Sequence, residues 1–136
     1  MPKTKKEKKY LVTDCRINEK TTHEEHTGGD GPYDGFTTRD ADFESVEVFV
    51  FRTPYAPRKP GQLDFKVGDT VFVLIEKLRD GDTFSDFDSF DERGFYKTRE
   101  EAEKASKKLD TSNRMFYTHI SFMVVETVVK EERHFD

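Results

Sequence analysis

One cysteine, Cys15, is all that the sequence offers for covalent cross-linking. No intrachain disulfide can form, and a reducing cytoplasm is the expected location. No apolar run is long enough to span a bilayer, so no membrane association is expected. The basic start MPKTKKEKK has no apolar segment behind it and does not read as a secretory signal. The segment GGDGPYDG is rich in glycine but lacks the Lys-Ser/Thr pair and following helix of a P-loop. Ser85, Ser89 and Ser121 lack a nucleophile elbow, and Cys15 lacks a sequence-defined histidine partner. Apolar residues are also scarce, at 33% against 38% charged, which means a lean core under a heavily solvated surface.

Thirteen phenylalanines offset that leanness, because each can bury a large area. The chain of 136 residues has the size of one domain. Its formal charge is −5; the first nine residues carry five Lys and one Glu, which leaves −9 on the rest. An acidic body without a basic stripe counts against duplex DNA or RNA as the ligand. A Lys-rich start has nothing to bury, so residues 1–9 are expected to be a disordered tail. Residues 10–130 form the expected single α+β domain, and 131–136 a frayed end.

Within that domain, alternation predicts strands over Tyr10–Asn18, Phe43–Arg52 and Thr70–Leu78. On the first, Leu11, Thr13, Cys15 and Ile17 share a face, which makes Cys15 a core residue. Glu19–Asp42 reads as a long irregular segment punctuated by glycine. Thr53–Gln62, with three prolines, reads as an ordered, non-helical crossover. Lys66–Asp69 is a turn signal. Asp80–Arg93 reads as an acidic loop, followed by a short strand over Gly94–Lys97. Thr98 with Glu101 makes a capping box, and Ala102, Ala105 and Leu109 form the inner face of the helix it starts. Met115–Lys130 is a long extended run expected to bend near Ser121. The resulting fold class is α+β: a twisted, mainly antiparallel sheet of about five strands with one helix packed on it, or a partly closed barrel. The long last strand is expected to pair with a copy of itself as a homodimer.

The run GDTVFVLIEKLRDGDTF followed by GFYKTREEAEKA resembles small uncharacterised proteins carried by phages and prophages. These combine a strand, a Gly-Asp-Ser/Thr-Phe loop and a Thr-x-x-Glu-Ala helix. The resemblance covers about a third of the chain. Where that pattern has Gly after the Phe, this chain has Ser85 and Asp86. The resemblance implies a non-enzymatic accessory protein that binds a host protein or sequesters a small ligand, as an inhibitor or in counter-defence.

The residues suggest where such binding sits. Aromatic anchors among polar groups are the usual composition of an interaction surface. Tyr33 and Phe36 supply them in the first long segment; Phe87 and Phe90 do so in the acidic loop, where Asp82 is a polar binding candidate and Phe84 is expected to pack inward. Tyr55, Arg58 and Lys59 form a small basic spot on the crossover. His23 and His26, with Asp30 nearby, form the best candidate for a divalent metal. That His-Glu-Glu-His segment underlies the alternative function, a small metal-dependent hydrolase or phosphodiesterase. The acidic loop does not match an EF-hand, because its fifth and sixth positions from Asp80 are Phe84 and Ser85. Otherwise no cofactor is expected.

Overall fold

The structure, a computed structural model, describes residues 9–28, 35–81, 85–112 and 118–134. Among these residues, five strands and one helix follow in the order β1 (Tyr10–Thr27), β2 (Phe36–Thr53), β3 (Thr70–Gly81), β4 (Ser85–Tyr96), α1 (Arg99–Ser112) and β5 (Thr118–Arg133). The sheet is mixed, in the order β1-β2-β4-β3-β5 with a further β2–β5 pairing. β2 pairs antiparallel with β1 along nearly its whole length. Its other edge is divided between β4, parallel at Thr37–Arg39, and β5, parallel at Val48–Phe51. β3 lies antiparallel to both β4 and β5. The pairings among β2, β4, β3 and β5 thus return to their starting strand. Pairing is mainly antiparallel, as expected, and two short parallel seams complete that circuit.

The largest departure from the sequence reading is at residues 19–42. Residues 19–27 and 36–42 are strand, the paired arms of β1 and β2, not an irregular segment. In sequence, glycine clusters between Gly28 and Gly35, while the strands carry Thr21, Thr22, Thr37 and Thr38, which favour extended backbone. Polar cross-strand contacts tie the arms together. Arg39 donates to Glu19 at 2.8 Å, and Asn18 donates to Ser45 at 3.1 Å. Ion pairs and threonines on both faces hide a strand from any hydrophobic alternation.

Asp80–Arg93 likewise turns out to be strand over most of its length. Asp86, Asp88, Phe90 and Glu92 alternate onto one face of β4. Arg79 neutralises the first part of that face from the neighbouring strand. Its guanidinium meets Asp86 in two parallel bonds of 2.9 Å, Asp88 at 3.1 Å, and Asp40 of β2. Asp88 also accepts the Ala41 N–H at 3.0 Å. One cation therefore links β3 to both β4 and β2.

The core draws on all four strands of the circuit: Val46, Val48 and Val50 of β2, Val71, Val73 and Ile75 of β3, Phe95 of β4 and Val129 of β5, with Phe65 of the crossover. Leu11, Cys15, Ile17 and Phe90 pack against it. Thr98 caps α1 as its spacing predicts, its Oγ1 accepting the Glu101 N–H at 3.2 Å. α1 touches β3, β4 and β5. Ala102 is fully buried there, but Ala105 and Leu109 are only half-buried.

β5 runs regularly along β3 from Thr118 to Val128, with no bend at Ser121. Its irregularity comes later, where it leaves Val129↔Val48 and pairs Glu131, Glu132 and Arg133 with Phe49, Val50 and Phe51. The expected frayed end is thus strand through Arg133, held by that guanidinium stacked 3.9 Å from the Phe49 ring centre. β2 occupies this end of β5, the edge expected to pair with a second copy.

Candidate functional site: a cationic cavity floored by a buried carboxylate

The crossover from β2 to β3 is pinned at two points. Gln62 hydrogen-bonds the outer edge of β1: its carbonyl accepts the Thr13 N–H at 2.8 Å, and its side-chain amide donates to the Thr13 carbonyl at 3.1 Å. Pro60 accepts the Phe95 N–H of β4 at 3.0 Å. Gly61, between them, has φ +77, and a Cβ there would stand 1.8 Å from the Phe95 carbonyl oxygen. Only glycine permits this approach. The docking brings Lys59 over β4.

Lys59 Nζ lies 2.5 Å from Glu92 Oε2. Glu92 is 3% exposed, and its other oxygen, Oε1, is buried without a hydrogen-bond partner. Burial pushes the Glu92 carboxyl up; Lys59 pulls it down, Asp14 and Asp91 push it further up, and the net shift is upward. For Lys59, burial opposes the charge, but the bond to Glu92 and its negative charge outweigh it, so its pKa is raised. Cys15 sits nearby, its thiol pushed up to about 12 by burial and by the charges of Glu92 and Asp14. Such a thiol stays protonated at neutral pH and is a poor nucleophile.

Outside this pair is a cavity of about 410 Å³ between the crossover, β4 and α1. Arg58, Lys59, Arg93 and Lys108 bring four positive charges to its lining, and Asp91 and Glu92 bring two negative ones. The lining is therefore net positive in a chain whose formal charge is −5. Tyr96, Ala105 and Leu109 add apolar wall. Ala105 and Leu109, expected to seal the helix onto the sheet, instead border the cavity. Gly94, at φ +139, marks a break in β4 between two lining residues, Arg93 and Tyr96. Arg93 donates through Nε to Glu76, itself 4% exposed, which fixes the guanidinium on the rim.

Of the expected binding residues, Arg58 and Lys59 line this cavity and Tyr55 does not; it is 78% exposed on the same crossover. Phe87 is exposed on β4. Phe90, expected as a contact for a partner, is instead half-buried against the core, its ring centre 6.1 Å from that of Phe43 and under Lys77. The backbone of Phe36 opens β2 opposite Thr27. Tyr33, Asp30, Asp82 and Phe84 lie outside the described residues. His23 and His26 are both exposed on β1. Three residues apart in a regular strand, they point to opposite faces. His23 contacts Glu25 at 3.3 Å and His26 contacts Thr37 at 2.9 Å, so they do not converge on one ion.

Sequence reasoning missed Glu92 and Arg93 as site residues. Their signal was a charged run, Asp91-Glu92-Arg93, abutting a strand that must be buried; such charges need partners from elsewhere in the chain. Comparison with protein-family models, with curated proteins and with solved structures finds no match for this chain. Among the described residues, no helix is long and apolar enough to cross a membrane.

Proposed function

We propose that the protein is a non-enzymatic binding protein that sequesters a small organic anion, acting as an accessory protein in the phage or prophage setting that the sequence resemblance implies. One observation carries this reading: a cavity lined by four cations and two carboxylates, in an otherwise acidic molecule, with an apolar wall beside the charges. A concave site with a few convergent polar groups on an apolar lining is the usual form of a small-ligand pocket, and about 410 Å³ is in the range for one. The cationic lining of an acidic body concentrates anions locally. We read the curled sheet as a partly closed barrel, with α1 and the crossover forming the cavity at its outer wall. The raised thiol pKa of Cys15 counts against that residue as a nucleophile. The hydrolase alternative draws no support from His23 and His26, which face apart.

The test is calorimetric titration with phenyl phosphate, whose ring suits the apolar wall, against benzyl alcohol as its neutral counterpart. Phenyl phosphate binds and benzyl alcohol does not. Lys59→Ala and Arg58→Ala each weaken binding by about tenfold, the scale of one charge-assisted hydrogen bond. Equal affinity for the two probes, or indifference to both substitutions, overturns the reading.

A further inference from the structure

Behind the cavity floor, β1 meets β4. One donor atom each from Asp14, Cys15 and Glu92 lies within 4.8 Å of the other two. A tetrahedral ion holds oxygen and sulfur donors at about 2.0–2.3 Å, hence about 3.5 Å from one another, so modest side-chain rotations would close the set. Local structure already orients part of it. Asp14 Oδ1 turns back to accept the Cys15 N–H at 2.8 Å, which holds the carboxylate beside the thiol at the outer edge of β1.

A second observation is independent of that clustering. Glu92 Oε1 is buried with no hydrogen-bond partner, on a side chain only 3% exposed. Buried carboxylate oxygens are nearly always satisfied. Lys59 reaches only the other oxygen, Oε2. Two carboxyl groups and a thiol meet here, and among the described residues the ion pair to this cluster comes from Lys59. The pocket floor is short of positive charge, although its rim is not.

We propose that Asp14, Cys15 and Glu92 form a binding site for one thiophilic divalent cation of the zinc class. The thiol selects this class over magnesium or calcium, which take oxygen donors alone. On binding, the sulfur–hydrogen bond of Cys15 breaks, its proton leaves to solvent, and the thiolate pair forms the bond to the ion; no electron is transferred. Lys59 competes with the ion for Glu92. This proposal does not rest on anion binding, because Lys59 acts in opposite directions on the two ligands.

Cobalt(II) provides the test, because a thiolate ligand gives it a near-ultraviolet charge-transfer absorption. Titrated under reducing conditions, the protein gains that absorption, saturating at one ion per chain, and zinc displaces it. Cys15→Ser abolishes it, Glu92→Gln weakens cobalt binding at least tenfold, and Lys59→Ala tightens it while weakening phenyl phosphate. An absorption that never appears, or that survives Cys15→Ser, overturns the proposal. Should Cys15→Ser fail to fold, the zinc-edge X-ray absorption spectrum of the zinc-loaded wild-type protein decides. One sulfur among oxygen scatterers is expected; imidazole without sulfur places the ion on the hairpin histidines and overturns the site. If phenyl phosphate is indifferent to both Lys59→Ala and Arg58→Ala while Lys59→Ala tightens cobalt, only the anion reading fails.

Discussion

At the β2–β4 seam, Arg79 holds three carboxylates: Asp40, Asp86 and Asp88. Where β1 meets β4, Lys59 pairs with Glu92, and Asp14 and Asp91 lie close enough to repel the Glu92 carboxylate. Both places bury acid on the same face of β4, yet they titrate in opposite directions. Burial pushes the Asp88 carboxyl up, but the Ala41 N–H and the Arg79 guanidinium outweigh it and hold it below its ordinary value. For Glu92, burial wins over Lys59. A planar guanidinium can bond several carboxylates at once, while an ammonium on a flexible stem satisfies one oxygen and leaves the other bare. The first place has the satisfied geometry of a clamp. The second retains an unmet requirement, and unmet requirements in clefts mark candidate sites.

Removing the clamp separates the two most sharply. Arg79→Ala leaves buried Asp88 with the Ala41 N–H and only a distant cation, Lys77 at 4.0 Å, and is expected to cost about 3 kcal/mol. Glu92→Gln keeps an acceptor for Lys59 and removes a poorly compensated charge, so its effect stays within about 1 kcal/mol of zero. Chemical denaturation of the two variants reads both values, and equal losses would erase the distinction.

Next in size are the two phenylalanines of β4. Phe90 belongs with the clamp side of the molecule, packed against the core and Phe43; Phe87 does not. Phe90→Ala is expected to cost about 2–3 kcal/mol, short of a fully buried ring, and Phe87→Ala about 0.5 kcal/mol or less. Parallel thermal melts check this; similar midpoints would mean that the two residues share one environment.

The smallest effect is the pH dependence. Glu92 titrates in the folded state above its ordinary value of 4.5. Just above that value the folded chain holds more proton than the unfolded one, so this contribution falls as pH rises through the window. Asp88 titrates below its ordinary 3.8, so its contribution is present above that value and is lost as pH falls through its folded pKa. Glu92→Gln should remove the falling limb and leave the acid-side loss in place. Stability measured as a function of pH on both sides of these ordinary values gives the two slopes.

How much of this could be read in advance depends on whether the determining partner was local. The Thr98 cap, the Lys66–Asp69 turn and the valine faces of β2 and β3 rest on neighbours in sequence, and each stands where alternation and capping chemistry put it. The acidic stretch became strand because Arg79 and Ala41 satisfy its carboxylates, and no local pattern announces those partners. The hairpin arms escaped notice because their stabilising pairs are polar, such as Arg39 with Glu19. The site was half legible. Arg58 and Lys59 stood out as a basic spot, whereas Glu92 and Arg93 join them only because Gly61 lets the crossover close onto Phe95.

The central claim is that ligand recognition lies in the cavity at the crossover and not on the aromatic segments of the hairpin and acidic strand. Amide and side-chain NMR shifts during a phenyl phosphate titration test it directly. The account predicts saturable shifts concentrated on Lys59, Glu92, Arg93, Tyr96 and the Ala105–Leu109 turn of α1, with Phe87 and the arms of the β1–β2 hairpin unmoved. Shifts concentrated on the hairpin arms or around Phe87, with the cavity residues silent, would contradict it.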